Sequence, residues 1–177
     1  KIFEKLDILV LNHGINPKGA QTSQVLSEAL EINALSTLRL MDQFEEVVTR
    51  KKNLSQFSEI WVNTSEAEIQ PALSPGYEIS KRLIGQLVSL RWSNLNTEQQ
   101  KILKIRKLVL GPFFSELNPL GIMSADFVAT QIINQAELGL GLIIVTPNPL
   151  TYLLIPLSET FRLIYYQFTE LINSKKD

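Results

Sequence analysis

Apolar positions along the chain switch repeatedly between a continuous pattern and a helical one, and the switches mark out the elements. Leu6-Asp7-Ile8-Leu9-Val10-Leu11 is a short, nearly unbroken apolar run that ends in Asn12-His13-Gly14, as a strand buried on both faces ends in a turn. From Thr22 or Ser23 to about Arg50, the residues Val25, Leu26, Ala29, Leu30, Ile32, Leu35, Leu38 and Met41 recur at helical spacing behind a Ser/Thr cap, which predicts one long helix. Glu59 to Asn63 is a second β-rich run, followed by Thr64-Ser65 and a loop containing Pro71. Ser74-Pro75 supplies an N-cap and the proline favoured at the first helical position, opening a helix to about Trp92 with Tyr77 in its first turn. Ile105 to Leu110 predicts a third strand, stopped by Gly111-Pro112. Ser124 can cap a helix from Ala125 to Glu137 closed by Gly139, and Leu142 to Thr146 predicts a fourth strand. Ser158 to Asn173 predicts a terminal helix with Phe161, Ile164, Tyr165, Phe168 and Leu171 on its inner side.

Strands alternating with helices in this order predict an α/β domain of Rossmann-like, doubly wound type, a parallel sheet with right-handed crossovers and helices on both faces. The whole chain, 1–177, reads as a single domain. In such sheets ligands bind beyond the carboxyl ends of the strands, which directs the search to Asn12–Pro17, Thr64–Gly76, Gly111–Leu117 and Thr146–Leu150.

Composition narrows the chemistry. The chain has 177 residues, 45% of them hydrophobic, with 17 Lys and Arg against 18 Asp and Glu and a net charge of -1. Without a block of like charge there is no electrostatic footprint for nucleic acid or an anionic membrane surface. The absence of cysteine removes disulfides and thiolate chemistry, and a single histidine, His13, leaves no His cluster for zinc. A hydrolase built on Ser65 and His13 would need a base and a carboxylate converging on one serine, and the sequence contains no nucleophile-elbow motif. The apolar stretch from Leu138 to Leu157 is broken by Thr146-Pro147-Asn148-Pro149, so it predicts a strand and turn instead of a membrane span. With Lys1, Glu4, Lys5 and Asp7 diluting the start, no signal peptide is expected, and cytoplasmic residence is the expectation.

Tyr77 and Lys81 stand four apart, on one face of the predicted helix. A phenol titrates near about 10 in water, and a neighbouring ammonium together with the positive end of a helix is expected to lower that value and make the phenol a proton donor and acceptor. Tyr-x-x-x-Lys alone is a weak pattern, and what surrounds it carries the weight. Asn12 and Gly14 follow the first strand, Asn33 follows Ile32 in the long helix, Trp61-Val62-Asn63-Thr64-Ser65 ends in hydroxyls, Tyr77-Glu78-Ile79-Ser80-Lys81 contains an internal serine, and Leu110-Gly111-Pro112 precedes Ser115 and Leu117.

These marks, in this order and at compatible spacings up to about Thr146, resemble the short-chain dehydrogenase/reductase family. Asn12-His13-Gly14 is similar to the end of that family's Asn-Asn-Ala-Gly strand, with His13 and Leu11 departing, and Leu110 replaces a proline of its Pro-Gly motif. The resemblance implies an NAD- or NADP-dependent oxidoreductase that interconverts a carbonyl and an alcohol by hydride transfer. Tyr77 would be the acid/base, Lys81 would hold the nicotinamide ribose and depress the tyrosine pKa, Ser65 would donate to the substrate oxygen, and Asn33 would anchor a water linking Lys81 to solvent. Asn12 and Gly14 would approach the adenosine side of the cofactor, and Gly111 and Ser115 the nicotinamide amide. The loop to Tyr77 is one residue shorter than usual in the family, so Thr64 fits the common count and Ser65 the local motif; both stay open as the hydroxyl donor. His13 reads as a turn residue or as a cofactor contact. A binding or interaction module that keeps the fold without turnover is the alternative to the enzyme.

The family's Gly-rich phosphate turn is not present in these residues, since Gly139-Leu140-Gly141 precedes a strand instead of opening a helix. The chain is therefore expected to be the C-terminal, catalytic part of such a domain, lacking the first three strands, with Ile8 to Leu11 left as an apolar edge strand. Its long Trp92–Arg106 stretch and Pro-rich Thr146–Leu150 turn resemble the dehydrogenase-like portion of cyanobacterial proteins described as bifunctional sterol desaturase/short-chain dehydrogenases, which implies a membrane-bound partner domain in the full-length protein. The apolar variable loops suggest an apolar small-molecule alcohol or ketone as substrate. By analogy with the family, the helices around Ala34 and Ile84 are expected to pair copies into a homodimer or tetramer.

Overall fold

A computed structural model describes residues 2–18, 22–50 and 57–173 of the chain. Four strands, β1 (Ile8–Leu11), β2 (Ser58–Ser65), β3 (Leu103–Leu110) and β4 (Leu142–Val145), form one sheet in the order β1-β2-β3-β4. Every pairing is parallel, with Leu11 opposite Val62, Ser65 opposite Leu110 and Leu110 opposite Val145. This is the parallel α/β sheet expected from the alternation of elements. β1 is an edge strand, and Ile8 and Val10 on it are about half exposed.

Side chains alternate across the pleat, so each face has its own cover. One face packs Ile60, Val62, Leu103 and Ile105 against Met41, Phe44 and Val48 of α2 (Ser36–Arg50) and Ile84 and Val88 of α3 (Pro75–Asn94). Further along that face, Val109 and Ile144 meet Ile155 of α6 (Thr151–Asn173). The opposite face packs Leu108, Leu110, Ile143 and Val145 against Val128 and Ala136 of α5 (Ala125–Glu137). α1 (Ser23–Leu30) and the short α4 (Thr97–Gln100) complete the helices.

Local signals explain most boundaries. The Thr22 hydroxyl accepts from Val25 N–H, Ser124 does the same for Phe127, and Gly139 closes α5 at φ +81°, a left-handed conformation that suits glycine. Ser74 occupies the cap position of α3, but its hydroxyl makes no capping bond and is buried without a partner.

Two helices differ from expectation. The long helix to Arg50 is broken by a π-helical turn, Glu31–Leu35, between α1 and α2. One extra residue in that turn changes which way Asn33 points, and such insertions recur at functional sites. The terminal helix begins at Thr151, seven residues before the predicted start, and continues through Pro156. A proline inside a helix costs roughly 3 kcal/mol; the offset here is a buried stripe of Thr151, Ile155 and Glu159, one turn apart, seated on the sheet. That stripe is the inner side. Phe161, Ile164, Tyr165 and Phe168, expected inside, are 57–64% exposed; the side chain of Leu171 lies outside the described residues.

Ala34 and Ile84 are buried in the chain's own core. The outward sides of the π-helical turn, α2 and α3 carry ion pairs: Arg39 with Glu31, Arg50 with Glu46, Arg82 with Glu78, and Arg91 with Asp42. No helix among the described residues is long and apolar enough to cross a membrane.

Candidate active site

The segments that leave β1, β2 and β3 open onto one cleft of about 700 Å³, bounded on another side by the first turns of α3. Asn12, His13, Gly14, Thr64, Ser65, Tyr77, Lys81, Gly111 and Ser115 all line it. Parallel strands make this convergence possible, because their carboxyl ends lie on one edge of the sheet and their loops must cluster there.

Tyr77 and Ser65 are brought together. Both line the cleft, and the Ser65 hydroxyl accepts from Ala67 N–H at 3.2 Å, which fixes it at the end of β2. Thr64 faces elsewhere: its hydroxyl donates to the Leu108 carbonyl at 3.1 Å across the strand pair. Of the two hydroxyls the sequence left open, Ser65 is the one that meets Tyr77.

Lys81 is 4% exposed, lies 5.7 Å from the Tyr77 ring centroid, and donates to the Asn63 carbonyl at 3.0 Å. Burial lowers its pKa to about 8, against the opposing pull of Glu68. The phenol of Tyr77 is shifted upward, the reverse of the sequence expectation. Burial is the main cause; the neighbouring Ser65 hydroxyl works against it and the Glu66 carboxylate adds to it. Lys81 does not offset this, because its ammonium is directed at a backbone carbonyl and is itself destabilised by burial.

Asn33, 2% exposed, joins three segments. Its amide nitrogen donates to the Ile15 carbonyl at 2.9 Å and the Ser80 hydroxyl at 2.8 Å, while its oxygen accepts Ile15 N–H at 2.7 Å. Asn33 thus ties the loop after β1 to the helix that carries Tyr77 and Lys81. Asn12 accepts from the Asn63 amide, linking the ends of β1 and β2. His13 is exposed and bonds the hydroxyl of Ser36 at 2.7 Å; partial burial and then Lys81 lower its pKa. At Gly111 a Cβ would lie 2.4 Å from the Thr146 hydroxyl, so β3 and β4 can leave the sheet side by side only with glycine there. The Ser115 hydroxyl and carbonyl both accept from Asn118 N–H, closing a turn on the cleft wall.

Three residues in this region were missed. Glu66 accepts from the hydroxyls of Thr146 at 2.5 Å and Thr151 at 3.2 Å, Gln70 donates to Thr151 at 2.8 Å, and Asn148 donates to Gln70 at 2.8 Å. They join the loops after β2 and β4, both windows the topology marks for ligand contact, but no motif singles them out. Among the described residues, no group of three or more His, Asp or Glu could hold a metal ion.

Solved structures share this arrangement of elements. A short-chain dehydrogenase from Burkholderia cenocepacia in complex with NADP superposes with TM-score 0.69 at 15% identity, over 86% of this chain and 64% of that one. The fold is that of the short-chain dehydrogenases/reductases. A bulky-bulky ketone specific alcohol dehydrogenase from Comamonas testosteroni has the same fold (TM-score 0.72, 16% identity, 92% of this chain and 63% of that one), as does a Sphingobium yanoikuyae short-chain dehydrogenase in complex with NADPH (TM-score 0.66, 14% identity, 84% and 61%). Among curated proteins, a monoglucosyldiacylglycerol epimerase from Synechocystis is 43% identical over 166 residues, 94% of this chain. The chain spans 39% of the length of that relative. No family model matches the sequence. Ser65, Tyr77 and Lys81 line one cleft at the strand ends, and Asn33 bonds Ser80 on the helix that carries Tyr77 and Lys81.

Proposed function

We propose that this chain supplies the acid/base chemistry of an NAD(P)-dependent enzyme that oxidises a secondary alcohol of a glycolipid sugar to a ketone and reduces it again with inverted configuration. The observation that carries the reading is the meeting of Tyr77, Ser65 and Lys81 in one cleft. The sugar lipid comes from the relative's name, monoglucosyldiacylglycerol epimerase. Inverting a carbinol carbon without net oxidation needs a hydride removed from one face and returned to the other. When bound, the nicotinamide supplies the acceptor and donor for that hydride.

The cleft fits the nicotinamide-ribose end of such a cofactor. Lys81 is a buried cation with three N–H donors, of which the Asn63 carbonyl takes one, leaving donors for ribose hydroxyls. Gly111 and Ser115 would border the nicotinamide amide, and Asn12 and Gly14 the adenosine side. The Gly-rich phosphate turn is not found in this sequence.

In the oxidative half, Tyr77 takes the hydroxyl proton as the C–H hydride leaves; in the reductive half it returns that proton to the carbonyl oxygen. The upward shift of the phenol suits the reductive half, where a proton must be held ready. Ser65 donates to the substrate oxygen, where negative charge develops. Asn33 acts through others, holding the Ile15 backbone and Ser80 in place.

The test is conversion of monoglucosyldiacylglycerol to its epimer by the complete protein, followed by NMR of the sugar. Tyr77→Phe is expected to lower turnover by about 10²–10⁴-fold with folding unchanged. Undiminished turnover in that variant would overturn the mechanism.

A further inference from the structure

We propose that the groove between α6 and α3 binds a fatty acyl chain of the glycolipid whose sugar enters the catalytic cleft. The inference rests on the epimerase reading for the identity of the lipid and on the shape of this chain for the site.

The groove holds about 660 Å³ and is lined chiefly by Ile69, Leu154, Leu157, Phe161 and Tyr165. Leu157, Phe161 and Tyr165 are 49–64% exposed, and the apolar side continues along α6 through Ile164 and Phe168. Contiguous apolar surface of this extent on one helix marks a binding surface. The groove and the cleft flank the same loop: Ile69 lines the groove, and the next residue, Gln70, lines the cleft. At the cleft's own edge, Leu73 and Leu120 are 98% and 81% exposed. A molecule with its sugar at Tyr77 and a hydrocarbon tail would reach the groove by crossing this loop.

Charge selects the occupant. The groove's one cation, Arg162, is held inward by Glu159 at 2.8 Å and Glu68 at 3.2 Å, so it offers no free charge to an anionic headgroup. What the surface presents is uncharged, which matches an acyl chain.

A glycolipid carrying a photoreactive group at the end of its acyl chain, added to the complete protein in mixed micelles, is expected to label α6 and to be displaced by unlabelled glycolipid. Labelling that misses α6 overturns the proposal. In the second arm, a Leu157→Asn, Phe161→Asn double variant, altering only exposed side chains, is expected to lower kcat/KM for monoglucosyldiacylglycerol roughly tenfold and to leave water-soluble glucosylglycerol unaffected. No loss, equal loss on both substrates, or a changed association state with lipid turnover intact would each overturn it, the last by assigning the face to a second copy. Wild-type protein that turns over neither substrate defeats the epimerase reading instead, and the labelling arm still decides the groove.

Discussion

α3 and α6 lie side by side on the same face of the sheet, and they are built inside out relative to each other. α3 buries small and polar residues among its apolar ones, with Gly76, Ser80, Lys81, Gly85 and Ser89 inward, and carries ion pairs on its outer side. α6 also buries polar groups, Thr151 and Glu159 flanking Ile155, but turns its large apolar side chains outward. The polar interior is where the two helices meet. The Lys107 ammonium, fully buried on β3, donates to Glu68 at 2.7 Å, Glu159 at 2.8 Å and the Gly85 carbonyl at 2.9 Å, and Ser89 donates to Glu159 at 2.6 Å. A Cβ at Gly85 would lie 2.0 Å from a Glu68 oxygen, so glycine is what lets α3 approach this cluster. The comparison teaches that α6 is docked by charge and a few buried contacts, which leaves its apolar side available, whereas α3 is docked to deliver Tyr77 and Lys81.

The largest effect should come from the shared cluster. Lys107→Met leaves Glu68 and Glu159 buried with only Arg162 to balance them, and is expected to cost about 3–5 kcal/mol in denaturant unfolding. A loss below 1 kcal/mol would mean that α6 is held by its apolar contacts alone.

Lys81 allows a test confined to α3. The folded chain holds this proton less tightly than the unfolded chain, so unfolding takes up protons between about pH 8 and the ordinary lysine value, and stability rises with pH across that window. Lys81→Met is expected to stabilise the chain by roughly 2–3 kcal/mol below pH 8, a gain that fades as pH rises toward 10.5. A pH-independent difference in melting curves would contradict the burial cost assigned to this ammonium.

The smallest effect is expected on the outer side of α3. Arg82→Ala removes an i,i+4 pair with Glu78 at 2.9 Å on a partly exposed surface, and should change stability by less than about 0.5 kcal/mol, less still at high salt. A larger, salt-insensitive loss would show that this side is covered in the working protein.

Much of the candidate site was legible because it depends on local spacing. Tyr77 and Lys81 share a helix face by the rule of four, and strands that lead into Asn12 and Gly111 or end at Ser65 must present them on one edge of a parallel sheet. The choice between Thr64 and Ser65 was not legible, because it turns on which side of the pleat each residue falls. The π-helical turn at Asn33 escaped the pattern because a single extra residue hardly disturbs a helical apolar period. Glu66 escaped because its partners are 80 and 85 residues distant in sequence, and the Lys107 cluster because its carboxylates lie 39 and 52 residues from the lysine.

The sequence by itself determined the order of strands and helices, the parallel sheet and the residues brought to its carboxyl edge, since hydrophobic period, caps and turn residues act over a few positions. It also determined that α6 is amphipathic. Which side of α6 faces inward was decided only by the tertiary structure: an apolar stripe needs cover from something other than water, and periodicity does not say what. Here the sheet and the Lys107 charge cluster take the Thr151–Ile155–Glu159 side, because unpaired buried charge costs more than exposed hydrocarbon.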